Sequence, residues 1–395
     1  MSWAVHDALP AVLGGAPMVP EGLPLARPAV GDPARVAADV ERTLRSGLMT
    51  NGPLVRELEG RAAEYLGVRH CIAVASCTAG LMIVLRAADL AGDVVLPSFT
   101  FAATAHAVAW NGLRPVFADV DPKTLTLDPD SVSRALGVRS SAILATHIYG
   151  TPCDVDRLET LAGDNGVRLF FDAAHAFGSR YRGTRVGGFG DAEVFSLSPT
   201  KILIAAEGGI IATNDDVLAE RCRIGRDYGN PGDYDCRFVG LNARMSELHA
   251  AVALASFEGL EQRVEERNRV ARLYRSALED VPGIAFPAVA PEDLSTYKDL
   301  TILVEPDGFG MEADGLGRAL TAEGVETRRY YSPPVHSMRS YAGTAPRMPL
   351  PETIGASKRA LSLPLWVGME DEAVRRTAHA IRRIRRAAGQ ISRPG

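Results

Sequence analysis

Between residues 71 and 213, short apolar runs alternate with stretches whose apolar positions recur at helical spacing. The runs at 71–75, 93–97, 115–120, 141–147, 168–172, 192–196 and 208–213 read as strands. Helical spacing falls between them, over 78–90, 101–111, 128–136 and 154–165. Two more amphipathic segments precede the series, at 32–46 and 54–65, the second ended by Gly67. Strands alternating with helices predict an α/β architecture, a mostly parallel sheet covered on both faces. Ligands of such sheets bind at the carboxyl ends of the strands. Ser76, Phe99, Asp172 and Lys201 fall at or just beyond those ends.

After the sheet, residues 244–278 read as one long helix. Strands at 301–304 and 325–329 and helices at 311–322 and 370–388 then compose a smaller α/β unit. The expected division is an N-terminal arm (1–35), a large domain holding the ligand (36–255) and a small C-terminal domain (256–395). Residues 1–30 are rich in Ala, Pro, Gly and Leu and lack a basic leading segment. Asp7 and several prolines break any apolar run, so they read as a mobile arm or a strap over a partner, not a secretory signal or membrane span. Arg382, Arg383, Arg385 and Arg386 end the last predicted helix, where cations suit the helix dipole.

Composition narrows the class. A chain of 395 residues with 46% apolar and 23% charged residues suits two or three packed domains. The net charge of -5 comes with no basic stripe, so nucleic acid is not an expected partner. Five cysteines, with no CxxC pair, point to a reduced, cytoplasmic protein rather than a disulfide framework.

Candidate chemistry centres on Glu193-Val-Phe-Ser-Leu-Ser-Pro-Thr-Lys201, followed by a Gly-Gly turn. A lysine set among apolar residues and hydroxyls is poorly placed as a surface charge. Desolvation favours its neutral amine, the form that condenses with a carbonyl. Lys201 therefore reads as carrying an aldehyde cofactor as a Schiff base; the alternative is a packed stem with a snorkelling head. A pyridine aldehyde with a phosphate also needs an anion for its ring nitrogen, a phosphate cradle and a stacking partner. Asp172, which ends an apolar strand, is the candidate anion, although such a carboxylate often only caps a turn. Ser76-Cys-Thr-Ala-Gly80 stands between a strand and a helix, as an N-cap or as a phosphate site. There Thr78 and Ala79 offer amides, and Ser196 reaches the same place from its own strand. Phe101 is preferred over Phe99 as the ring cover. His175 is placed to approach the cofactor's phenolic oxygen or to fill the wall.

In this order these motifs resemble the DegT/DnrJ/StrS sugar aminotransferases. The resemblance rests on Asp172-Ala-Ala-His, Phe-Ser-Leu-Ser-Pro-Thr-Lys201, Glu207-Gly-Gly and Gly240-Leu-Asn-Ala-Arg-Met245. Pro97-Ser-Phe-Thr-Phe-Ala-Ala-Thr104 and Pro-Pro-Val-His336 extend it over most of the chain beyond Asn51. It implies fold type I and pyridoxal 5'-phosphate, with Lys201 as the Schiff-base lysine and Asp172 as the pyridinium partner. Ser76, Thr78, Ala79 and Ser196 are implied at the phosphate, and Phe101 and His175 beside the ring. Asn242 is implied to reach the phosphate of the other subunit, which makes a homodimer with composite sites. His336, Tyr331 and Arg244 are implied on the substrate side, Arg244 as a loop anchor rather than a catalyst. Around His336, Ser337-Met-Arg-Ser-Tyr341 departs from the family pattern and leaves the acceptor open. The implied reaction moves an amino group from L-glutamate or L-glutamine to a ketone of a nucleotide-linked deoxysugar. An aminocyclitol ketone and a cofactor-binding regulatory role are the alternatives. The family's dehydratase branch has histidine in place of the lysine, so Lys201 argues against it.

Overall fold

The computed structural model describes residues 9–344 and 346–391. Helices α1 (Pro33–Ser46) and α2 (Pro53–Leu66) lead into β1 (His70–Val74), α3 (Cys77–Ala87), β2 (Asp93–Pro97), α4 (Ala102–Trp110) and β3 (Arg114–Ala118). The alternation continues with α5 (Pro129–Ala135), β4 (Ser140–Thr146), α6 (Val155–Asn165) and β5 (Arg168–Asp172). A small hairpin, β6 (Arg180–Tyr181) and β7 (Thr184–Arg185), precedes β8 (Ala192–Ser196), β9 (Gly209–Thr213) and α7 (Asp216–Gly225).

Among the described residues these strands form a seven-stranded sheet in the order β1-β9-β8-β5-β4-β2-β3. Every pairing is parallel except those of β9, which runs against both β1 and β8. Val94, Val95, Leu96, Ile143, Leu144, Phe170 and Phe171 are fully buried. A strand covered on both faces therefore reads as an unbroken apolar run, each such side chain adding about 1.5–3 kcal/mol. Gly80 lets α3 lie close to the sheet, because a Cβ there would come within 2.7 Å of Val194 Cγ1.

The remainder is α8 (Glu247–Phe257), α9 (Leu260–Leu278), β10 (Ile284–Ala285), β11 (Leu300–Val304), a single turn α10 (Pro306–Phe309), α11 (Ala313–Ala322), α12 (Pro351–Arg359), β12 (Ala360–Leu363) and α13 (Asp371–Arg386). The long helix expected over 244–278 is two. Residues up to Ser246 form bridged loop, and Gly259, at φ 71°, separates α8 from α9. No strand forms over 325–329. Val325 and Arg328 make isolated bridges to Leu23 and Ser362, and the sheet partners of β11 are β10 and β12. A second core gathers Val270, Tyr274, Leu300, Leu316 and Ile381, while Leu260 and Val264 at the start of α9 belong to the sheet's core. Helix α9 is thus shared by both cores.

The segment expected as an arm or a strap over a partner lies, from Ala11 to Leu25, on its own chain. Val19 and Leu23 enter the second core. Glu323, fully buried, accepts the N–H groups of Ala11 (3.0 Å) and Met18 (2.9 Å) and pairs with Arg383. Two more of the helix-terminal arginines are likewise engaged, Arg382 with Asp280 and Arg385 with the Pro282 carbonyl at 3.1 Å. Among the described residues no helix is long and apolar enough to cross a membrane.

Candidate active site

Ser76 follows β1, Thr100 follows β2, Thr146 ends β4, Asp172 ends β5 and Ser196 ends β8. All of them open on one cavity of about 310 Å³. Ser76, Thr78, Phe101, Asp172, His175, Ser196, Lys201 and Tyr331 line it, so the structure brings eight of the expected residues together. Thr100, Thr146, Glu207, Lys298 and Tyr330 line it as well.

Lys201 sits in a tight loop after β8. Its N–H donates to the Ser198 carbonyl at 3.0 Å, and the loop closes through Ala205 N–H to Leu197 O at 2.8 Å. Ile202, Leu203, Ile204 and Ala205 behind it are buried. This apolar setting, helped by the charge of Lys298, lowers the Lys201 amine to a pKa of about 8.

Asp172 is 4% exposed. Its Oδ2 accepts the Thr104 hydroxyl at 2.7 Å and its Oδ1 the Ala174 N–H at 3.1 Å. Thr104 is held in turn by Thr100 at 2.9 Å, and Thr100 contacts Thr146 at 3.2 Å. Burial pushes the carboxyl's pKa up, against the pull of those two hydrogen bonds. Two oxygens with one donor each retain lone pairs for a third partner. A cation beside them would favour the ionised form.

His175 is fixed from both sides. Its Nδ1 accepts the Tyr149 N–H at 3.1 Å, and its carbonyl accepts the Thr296 hydroxyl at 2.5 Å. Burial, and the positive charges of Lys201, Lys298 and Arg267, keep the ring neutral well below its usual range. A neutral ring that accepts at Nδ1 carries its proton at Nε2. His175 is thus an N–H donor on the cavity wall. The turn behind it requires Gly150, at φ 94°, since a Cβ there would meet Thr296 Oγ1 at 2.1 Å.

The N-terminus of α3 forms another wall. Ser76 caps the helix, its Oγ accepting the Ala79 N–H at 3.1 Å. Ala79 is therefore not a free amide, and it does not line the cavity, contrary to expectation. Cys77 and Thr78 do line it, in a first turn whose N–H groups have no intrahelical acceptor. Gly209 brings β9 against this turn: a Cβ there would lie 2.7 Å from Cys77 N. Phe101 is 61% exposed on the cavity, whereas Phe99 is wholly buried in the core, which separates the two aromatics.

Three further expected residues lie outside this chain's cavity. His336 is turned into the structure, its Nδ1 hydrogen-bonded to the Ser98 hydroxyl at 2.6 Å, with Phe117 alongside. Arg244 donates to Asp227 Oδ1 at 2.9 Å and lies 5.5 Å over the Tyr228 ring, so it anchors its loop and does not face substrate in this chain. Asn242 is exposed, bridged to Asp227, with its Oδ1 3.3 Å from Arg244 Nη2. The expectation missed Lys298 and Tyr330, which come from polar loops with no periodicity to flag them. It also missed Thr104, whose sole sequence signal was its place in the quoted Pro97–Thr104 run.

Residues 32–382 match the model of the DegT/DnrJ/EryC1/StrS aminotransferase family. The chain belongs to this family. It is an aminotransferase that uses pyridoxal phosphate. It is 31% identical over 359 residues to the dTDP-4-amino-4,6-dideoxy-D-glucose transaminase of Escherichia coli, covering 89% of this chain and 96% of that one. It is 34% identical to the pleiotropic regulatory protein of Geobacillus stearothermophilus, over 84% of this chain and 90% of that one. Among solved structures it resembles DesI, analysed in the presence of its TDP-sugar product, with a TM-score of 0.91 and 40% identity over 98% and 97% of the two chains. The residues present fit the family's cofactor: a desolvated amine, a buried carboxylate with spare lone pairs, a neutral imidazole N–H and a helix N-terminus share one cavity.

Proposed function

We propose that this aminotransferase moves an amino group from L-glutamate or L-glutamine to the keto carbon of a deoxysugar linked to a nucleoside diphosphate. The likeness to DesI, analysed with its TDP-sugar product, carries the acceptor class. When bound, pyridoxal phosphate supplies an electron sink that acidifies the donor's Cα–H and stores the amino group between substrates. Lys201 is the lysine that would hold it. Its Nζ, half neutral at a pH of about 8, is suited to take that proton and return it to the product. Asp172 would keep the ring nitrogen protonated, and His175 Nε2–H would donate to the ring oxygen. Thr78, Ser196 and the first turn of α3 would hold the phosphate, where a helix N-terminus favours an anion. Phe101 would cover the ring, and Tyr331 stands on the substrate side.

The working unit in this reading is a cytoplasmic homodimer. Asn242, exposed and tied to the Arg244 anchor, would complete the phosphate site of the second copy. The likeness to a regulatory protein supports a second reading, a protein that binds the cofactor without turnover. A panel of 2-keto acids, nucleotide-linked keto sugars and cyclitol ketones, each with glutamate and glutamine, separates these readings. Amino transfer to a nucleotide keto sugar is the expected result. Use of a keto-acid pair alone rejects it, transfer to a cyclitol alone favours that class, and no transfer at all favours the regulatory reading.

A further inference from the structure

The segment 295–299 leads into β11 and is held from several directions. Tyr297 has φ 44°, and its N–H donates to Ser295 Oγ at 3.0 Å. The Arg267 guanidinium donates to the carbonyls of Tyr297 (2.9 Å) and Lys298 (2.6 Å), and the Lys298 N–H donates to Tyr149 O at 2.8 Å. A backbone fixed this way gives the Lys298 side chain a defined origin. Its ammonium pairs with Asp299 Oδ1 at 2.8 Å, with the two side chains 9% and 6% exposed, and lies 5.2 Å from the Tyr330 ring centroid. Among the described residues Nζ makes no other hydrogen bond, so two of its three donors are available. A buried ammonium needs a counter-charge to stay protonated, and Asp299 supplies it. Lys298 lines the cavity and Asp299 does not, so an entering ligand meets the ammonium first.

The cavity's charges then decide what that ligand is. Among the described residues its lining holds two lysines and no arginine. Lys201 is committed to the cofactor and to proton movement, and the phosphate has the N-terminus of α3. A carboxylate on an amino-acid donor has no other cation on this wall, and Asp172 and Glu207 would repel it. We propose that Lys298 recognises a carboxylate of the amino donor and thereby sets donor specificity. The inference rests on the reading that the donor is an amino acid such as glutamate.

The test uses the holoenzyme and glutarate, a dicarboxylate with no amino group to give. Glutarate binding is measured by calorimetry, and KM is measured separately for glutamate and for the keto acceptor. Lys298→Met should weaken glutarate binding and raise the glutamate KM by about tenfold or more, the loss of one charge-assisted hydrogen bond. The acceptor KM and the bound cofactor should be unchanged, and Lys298→Arg should recover much of the loss. If Lys298→Met does not accumulate as folded protein, Lys298→Gln carries the same expectation. Parental glutarate affinity and glutamate KM in the neutral variant would overturn the proposal, as would a loss confined to the acceptor. Should no keto sugar accept an amino group, the acceptor reading fails, while glutarate binding still judges Lys298.

Discussion

At the scale of single residues, the site holds an amine that gives up its proton at a lower pH than an ordinary lysine. Burial lowers the folded pKa of Lys201 to about 8 from an ordinary 10.5, so the reactive form accumulates above pH 8 and is lost below it. The rate at which the apoprotein takes up pyridoxal phosphate should rise about tenfold per pH unit below 8 and level off above, as a single deprotonation demands. A midpoint near 10.5 would mean an ordinary exposed lysine. Asp172→Asn tests the carboxylate. It keeps the size of the side chain but removes the charge and one of the two oxygens that accept from Thr104 and Ala174, and a charge-assisted bond is worth about 1.5–3 kcal/mol. The half-reaction with glutamate should slow by at least tenfold, while cofactor retention, proposed to rest on α3, changes less. A variant reacting at the parental rate would end the role assigned to Asp172.

At the scale of elements, the α3–β9 contact constrains the wall proposed to hold the phosphate. Gly209→Ala would press a methyl group to within 2.7 Å of Cys77 N and 2.8 Å of Ser76 C, both of them backbone. Neither atom belongs to a flexible side chain, so the first turn of α3 must shift, at about 1–3 kcal/mol of strain. Cofactor affinity should fall several-fold while the circular dichroism stays native, and unchanged affinity would show that this turn does not hold the phosphate. The strands that position the site were legible because each is buried on both faces and reads as an apolar run. The residues after them were legible for the same reason, since the end of each run marks a strand's carboxyl end. The reversed direction of β9 was not legible, because Gly-Ile-Ile-Ala-Thr is equally apolar either way round. The break at Gly259 was lost inside a continuous helical pattern. Lys298 was invisible because the pinned backbone that presents it draws on Arg267 and Tyr149, both remote in sequence.

At the scale of the whole molecule, the site of one chain is proposed to be completed by Asn242 of a second. Lys201→Ala and Asn242→Asp chains should each be nearly inactive alone. A tagged mixed dimer should recover about half the parental activity, because one of its two symmetric sites then has both residues intact. No recovery in a demonstrably formed mixed dimer would place Asn242 in cis or outside the site. From Ala11 to Met18 the N-terminal segment that reads in sequence as a strap is tied to its own chain through Glu323. Lys201 is proposed to be the amine that holds the cofactor, although Lys298 stands in the same cavity. Borohydride reduction of the holoenzyme, followed by peptide mass mapping, distinguishes the two. The label should fall on the peptide containing Lys201 and disappear in Lys201→Ala. A label on Lys298 in the parental protein, or one that persists elsewhere in Lys201→Ala, would contradict it.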